Sequence, residues 1–159
     1  MLTVQIVCVG KLKEAYWRDA CAEYMKRLQA FCRFSILELA ECRLPDHPSE
    51  AQIAAALKTE GAKILSIVGN SAIFALCIEG KQFSSEQLAE KINTLSVNGT
   101  STVNFVIGSS FGLSDEVKQS ADFQLSMSPM TFPHQLARVM LCEQTYRAFQ
   151  IMNNGRYHK

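Results

Sequence analysis

Apolar residues in this chain fall into two patterns that alternate along its length. Short continuous apolar runs, at residues 2–9, 34–39, 73–78, 103–107 and 123–127, predict five strands. Between and after these runs, apolar residues recur three and four positions apart, which predicts helices at about residues 14–31, 49–68, 84–95, 114–121 and 133–153. This alternation predicts an α/β domain with a mostly parallel sheet of about five strands and helices on both faces.

Polar residues at the starts of the helices support these boundaries. Ser49 is followed three residues later by Gln52, and Ser84 by Gln87, which is the spacing of a capping box. Ser114 is a good N-cap for the short fourth helix. Pro133 suits the first turn of the last helix, because the amides of that turn have no intrahelical partners.

Length and hydropathy predict the number of domains and the association of the chain. A chain of 159 residues forms one domain, residues 1–159, with a substantial core. Hydrophobic residues make up 48% and charged residues 19% of the chain. The last helix is apolar on several faces, more than a small sheet can cover, so we expect part of it to pack against a second copy of the chain in a homodimer.

Charge and cysteine content exclude several classes of protein. The net charge of +1 is far from that of a protein that holds free nucleic acid by phosphate neutralisation. The six cysteines show no CxxC pair and no zinc-ligand spacing, and Cys8, Cys77 and Cys142 lie in apolar patterns typical of buried free thiols. No run reaches membrane-spanning length and no signal sequence precedes the first strand, so a cytoplasmic location is expected.

Three loops are candidates for chemistry, because ligands of parallel sheets bind beyond the carboxyl ends of the strands. They are residues 78–81, 108–113 and 127–132. The second loop, GSSFG, has neither the spacing of a dinucleotide-binding motif nor the Lys of a P-loop, and it is either a simple turn or a set of amide donors for a polar ligand. In the third loop Met and Phe alternate with Ser and Thr, which suits an adenine ring but equally suits a loop that closes the core.

Polar residues near the carboxyl terminus extend this list. His134 and Arg138 share one face of the last helix, where the histidine either caps the helix or acts on a substrate. Glu143 and Arg147 have the spacing of an ion pair. The terminal residues 156–158 offer a cation that can contact phosphate, an aromatic ring that can stack on a base, and a titratable group. A terminus of this kind commonly frays, however.

Several stretches of sequence together resemble one known family. The stretches are VGKLKEAYW, EYMKRL, IEGKQFSSEQLA, FVIGSSFGLS, SPMTFPHQLARVMLCEQTYRAFQI and RYHK, and they cover the chain nearly end to end. They resemble the ribosomal RNA large subunit methyltransferase H family, of the SPOUT class. One departure is Ser109, where relatives often carry a second glycine after Gly108.

The resemblance implies S-adenosylmethionine as methyl donor and methylation at N3 of pseudouridine 1915 in 23S rRNA. Methyl transfer from a sulfonium is an in-line displacement, for which we expect no metal. It also implies a C-terminal trefoil knot and a homodimer with the active site at the subunit interface. Because the net charge is near zero, we expect the substrate to be the assembled ribosome, whose shape presents the RNA. Two other classes stay open at this point: a non-catalytic ribosome-binding module with the same fold, and a flavodoxin-like redox protein with a bound flavin.

Site residues follow from the matched motifs. The implied donor contacts are Leu76, Gly108, Met127, Ser128, Pro129, Met130, Thr131 and Phe132. Transfer to N3 requires loss of the imide proton, so we expect a general base and a group that stabilises the resulting anion. The candidates are His134 and His158 as alternative proton acceptors, Arg138 as the charge stabiliser and Tyr157 as a stacking platform.

Overall fold

A computed structural model describes residues 1–159 as five strands and five helices in strict alternation. The elements are β1 (Thr3–Val9), α1 (Ala15–Leu28), β2 (Arg33–Leu39), α2 (Glu50–Val68), β3 (Ala72–Gln82), α3 (Ser85–Val97), β4 (Thr102–Ile107), α4 (Asp115–Ser120), β5 (Phe123–Ser126) and α5 (His134–Met152). The order of elements predicted from the apolar pattern is confirmed. No helix is both long and apolar enough to cross a membrane.

All five strands are parallel and lie in the order β2-β1-β4-β3-β5. Because the strands are parallel, their carboxyl ends meet at one edge of the sheet. The ends of β4, β3 and β5 are neighbours there, and the end of β1 lies directly beside β4. This confirms the α/β class and the parallel sheet, while the trefoil knot stays a prediction.

Side chains that alternate along the strands build a core on each face of the sheet. Val4, Ile6 and Cys8 of β1 belong to the larger core, with side chains of α1, α3 and α5. Val7 and Val9 belong to the smaller core, with side chains of α2 and α4. The domain is therefore three layers, and α5 lies in the layer of α1 and α3.

The predicted helix caps are confirmed for three helices. Ser49 and Ser84 each form a complete capping box, and the Ser114 hydroxyl accepts a hydrogen bond from the Val117 amide at 3.3 Å. Pro133 differs slightly from the prediction, since it is the N-cap of α5 and helical geometry begins at His134. Its ψ of 143° is extended, so Pro133 is the last residue of the preceding loop and does not lie within the first helical turn.

Strand β3 is longer than predicted and is interrupted. Leu76 and Lys81 are both opposite Leu125 of β5, so residues 77–80 leave the ladder as a bulge. Gly80 permits this path, because a Cβ there would lie 2.6 Å from the carbonyl oxygen of Gln124. The bulge carries three side chains to the carboxyl edge of the sheet.

All six cysteines are free thiols. Cys8 and Cys142 are buried, as predicted, and burial raises the pKa of Cys8 to about 12. The prediction was wrong for Cys77, which is only half-buried because it lies on the bulge of β3.

Candidate functional site

The three loops predicted at the carboxyl edge of the sheet enclose one pocket of about 720 Å³. The bulge of β3, the loop after β4 and the loop between β5 and α5 each contribute several lining residues. The volume lies within the range of small-molecule sites. The structure thus confirms that the loops chosen from the sheet rule come together.

Gly108 and Gly112 shape the loop after β4. Any Cβ on Gly108 would overlap the carbonyl of Gly112, whose amide donates to the Ser109 carbonyl at 2.9 Å. Gly112 has a φ of +89°, which favours glycine. Ser109 is not among the residues with positive φ, so the departure from the family's second glycine introduces no backbone strain.

The loop between β5 and α5 is held by short local hydrogen bonds. The Ser126 hydroxyl donates to the Ser128 carbonyl at 3.2 Å, and the Ser128 hydroxyl accepts from the Met130 amide at 3.0 Å. Among the implied donor contacts, those that line the pocket are Leu76, Gly108, Met127, Ser128, Met130, Thr131 and Phe132. Pro129 does not line it, and the Met130 side chain, 71% exposed, lies at the mouth.

Other lining residues were not among the implied donor contacts. The β3 bulge contributes Cys77, Ile78 and Glu79, and α4 contributes Lys118. Lys118 donates to Glu79 at 2.5 Å, and this hydrogen bond lowers the pKa of Glu79 and raises that of Lys118. No pattern in the sequence points to Lys118, because the pair depends on how α4 packs beside the bulge.

His134 and Arg138 lie on the same face of α5 but in different surroundings. His134 is half-buried and lines the pocket. Arg138 is only 1% exposed, and its guanidinium donates to the Glu38 carboxylate at 2.8 Å and to the Gly10 carbonyl at 3.1 Å. Glu38 also accepts from the Leu12 amide at 3.1 Å. The hydrogen bonds of Arg138 therefore link α5 to the ends of β1 and β2. Its side chain is almost inaccessible to a substrate.

The carboxyl-terminal tail, residues 156–159, folds back on α5 and α3. The Tyr157 hydroxyl donates to Glu143 at 3.0 Å, and the Arg147 guanidinium donates to the same carboxylate at 2.9 Å through Nε, which confirms the predicted pair. His158 Nε2 lies 2.8 Å from a Glu86 carboxylate oxygen at the start of α3. No tail residue lines the pocket of its own chain.

Burial and contacts shift several pKa values in the tail network, and the hydrogen bond to Glu143 raises the pKa of Arg147. Burial, with the hydrogen bond to Glu143, raises the pKa of Tyr157 to about 12. The hydrogen bond with His158 lowers the pKa of Glu86 to about 2. Of the four predicted catalytic residues, only His134 lines the pocket of its own chain. Tyr157 and His158 both lie on the tail, outside this pocket.

Residues 2–158 match the family model described as a predicted SPOUT methyltransferase. This chain belongs to the SPOUT methyltransferase family. It is 50% identical to the ribosomal RNA large subunit methyltransferase H of Bacillus pumilus, 47% to that of Streptococcus thermophilus and 46% to that of Bifidobacterium adolescentis. Each match covers 99% of this chain and 100% of the relative. The family recognised from the sequence motifs is confirmed, and the chain is a methyltransferase.

Two solved structures share the fold of this SPOUT methyltransferase. One is a probable methylase family protein from Haemophilus influenzae, with a TM-score of 0.57 and 16% identity over 98% of this chain and 70% of that chain. The other is a probable methyltransferase from Bordetella pertussis, with a TM-score of 0.57 and 15% identity over 92% of this chain and 95% of that chain. At such identities the likeness shows the fold alone.

Proposed function

We propose that this SPOUT methyltransferase acts in the cytoplasm as a single domain, residues 1–159, and methylates N3 of pseudouridine 1915 of 23S rRNA in the assembled ribosome. S-adenosylmethionine is the proposed methyl donor. Full-length relatives named ribosomal RNA large subunit methyltransferase H support the RNA substrate. The observation that carries the proposal is the pocket at the carboxyl edge of the sheet, where the family's motif residues converge.

The residues of the pocket fit this donor. Met127, Met130 and Phe132 supply an apolar wall for an adenine ring, and the hydroxyls and main-chain groups between them supply polar contacts. Gly108 lets the backbone of its loop pass where any side chain would clash. Bound there, the donor supplies a methyl group activated by its sulfonium, which needs no metal for transfer.

His134 is the proton acceptor that the pocket itself offers. The imide proton at N3 must leave for nitrogen to attack, and an imidazole within the pocket can take it. Arg138 acts as a positioning residue in this proposal, because its bonds to Glu38 and Gly10 fix the turn of α5 that carries His134.

A second copy of the chain supplies the tail in this proposal. Tyr157 and His158 are held by α5 and α3 and lie outside the lining of their own pocket. In a homodimer with the active site at the interface, the tail of one subunit meets the pocket of the other. Tyr157 then stacks on the target base and His158 is the alternative proton acceptor.

The direct experiment measures transfer of labelled methyl groups from S-adenosylmethionine to ribosomes from cells that lack this modification. We expect a single methyl group at N3 of the target pseudouridine, and slower labelling of naked 23S rRNA. His134→Ala is expected to lower kcat roughly 100-fold or more, the usual contribution of a general base, while His47→Ala in an exposed loop changes nothing. Labelling of another nucleotide, or equal rates on naked RNA, would contradict the assigned substrate.

A further inference from the structure

The loop between β1 and α1, residues 10–14, adjoins the pocket, and only its Gly10 carbonyl, which accepts from Arg138, has a part in the function described above. β1 pairs with β4 as far as Cys8 and Ile107, so Gly10 lies beside the start of the Gly108 loop. A Cβ on Gly10 would lie 4.0 Å from Nε2 of His134. The loop therefore lies beside His134, the proton acceptor proposed above.

Hydrogen bonds hold this loop in one conformation. Arg18 donates to the carbonyls of Leu12 and Lys13, and the Leu12 amide donates to Glu38. The Leu12 side chain is buried, which leaves Lys11 and Lys13 exposed on either side of it. Neither lysine takes part in a salt bridge. A loop that is already ordered loses little conformational entropy on binding.

An exposed aromatic side chain accompanies these two ammonium groups. Tyr16, at the start of α1, is 64% exposed and its ring centroid lies 5.1 Å from that of Trp17. Four of the seven exposed large hydrophobic side chains lie on loops, on the β3 bulge or at a helix start at the carboxyl edge of the sheet: Tyr16, Ile78, Phe111 and Met130. This concentration marks the edge as a binding face rather than ordinary surface.

The acidic groups near the loop form no ion pair with Lys11 or Lys13. Glu14 is the N-cap of α1, where the helix end favours a carboxylate, and Glu41 lies near Gly10. Unpaired lysines beside an exposed tyrosine match the phosphates and unstacked bases of single-stranded RNA. A protein partner would need a contiguous apolar core at its interface, whereas this loop and the start of α1 present two lysines and one exposed aromatic ring.

We propose that Lys11, Lys13 and Tyr16 form a contact surface for the single-stranded RNA that flanks the target nucleotide. This surface rests on the proposed function, since the flanking RNA reaches it only when the target base enters the adjoining pocket. The two lysines contact phosphates, and the tyrosine ring stacks on a neighbouring base.

The lysines are tested by the salt dependence of binding to large ribosomal subunits. The Lys11→Ala/Lys13→Ala variant is expected to lower the slope of log K against log salt by about 1.4, because each contact with a single-strand phosphate contributes about 0.7. Lys58→Ala/Lys63→Ala removes the same charge from exposed positions on α2 and should leave the slope unchanged. Equal slopes for the two variants would overturn the phosphate contacts.

Tyr16 is tested by two substitutions. Tyr16→Ala should weaken binding of the ribosomal subunit roughly 5-fold to 150-fold, the loss of one stacked base, while Tyr16→Phe keeps the ring and the affinity. Tyr16→Ala should raise KM for ribosomes, retain kcat, and bind S-adenosylmethionine as the unaltered chain does, whereas Tyr16→Phe should leave KM unchanged. A photoreactive phenylalanine in place of Tyr16 should crosslink to 23S rRNA, and crosslinking to ribosomal protein alone would overturn the RNA assignment.

The two proposals fail in different ways. If the unaltered chain does not methylate ribosomes, the proposed function fails. If it does, and the Lys11, Lys13 and Tyr16 variants bind and react as it does, only the surface is wrong.

Discussion

Arg138 shows that two residues on one helix face can have very different surroundings. Its spacing from His134 placed both residues on one helix face, and the structure confirms that geometry. Burial then separates them, since Arg138 is 1% exposed and bonded to Glu38. The sequence offers no sign of this pair, because Glu38 is 100 residues away and the two meet only through the packing of α5 on the sheet.

Cys77 provides a probe of the donor pocket that requires no substitution. It lines the pocket and is half-buried, whereas Cys42 is half-buried outside it. We expect S-adenosylmethionine to slow the alkylation of Cys77 by N-ethylmaleimide severalfold and to leave Cys42 unaffected, as measured by peptide mass spectrometry. Protection of neither cysteine at saturating donor would place the donor elsewhere.

The stability of the tail network is expected to depend on pH because of Tyr157. Its raised pKa means that the folded chain favours the neutral phenol, which donates to Glu143. The neutral phenol therefore stabilises the folded chain fully below the ordinary tyrosine pKa of about 10. This stabilisation is lost as the pH rises towards about 12. In an absorbance titration, Tyr157→Phe should remove the component near pH 12 and Tyr16→Phe should keep it. A titration unaltered by Tyr157→Phe would contradict the network.

At the scale of elements, the predictable features were those encoded locally. Ser49, Ser84 and Ser114 fixed helix starts because capping depends on residues three positions apart. The bulge of β3 was not predictable, because it arises from the close approach of Gly80 to the backbone of β5, more than 40 residues away. Residues 78–81 were identified as a loop near the site, although they lie within a strand that resumes pairing.

The bulge should matter for donor binding. Gly80→Ala places a methyl group 2.6 Å from the Gln124 carbonyl oxygen, and overpacking of this kind costs about 1–3 kcal/mol of stability. We expect the displaced bulge to weaken binding of S-adenosylmethionine in calorimetry. Gly99→Ala, at a positive φ with open space around it, should cost about 1 kcal/mol and leave donor affinity unchanged. Equal donor affinity in both variants would show that the bulge does not shape the pocket.

At the scale of the molecule, sequence patterning predicted the layers, the parallel sheet and the edge that holds the pocket. These features follow from the hydrophobic periodicity and from the rule that ligands bind beyond the carboxyl ends of parallel strands. Both depend only on the order of the elements along the chain. Patterning did not predict where the tail docks, since its contacts with Glu86 and Glu143 join elements distant in sequence. The apolar pattern of α5 led to the expectation of a homodimer, which stays a prediction, whereas the threading of a knot is not encoded by periodicity.

The central claim is that the pocket of one subunit and the tail of another form a single active site. It is tested by mixing two inactive chains, His134→Ala and a chain that ends at Gly155, and measuring methyl transfer to ribosomes. Random pairing in a symmetric dimer should restore about a quarter of the sites, since one site of each mixed dimer is intact. If mixing restores no activity while both chains remain folded and bind S-adenosylmethionine, the composite site is contradicted.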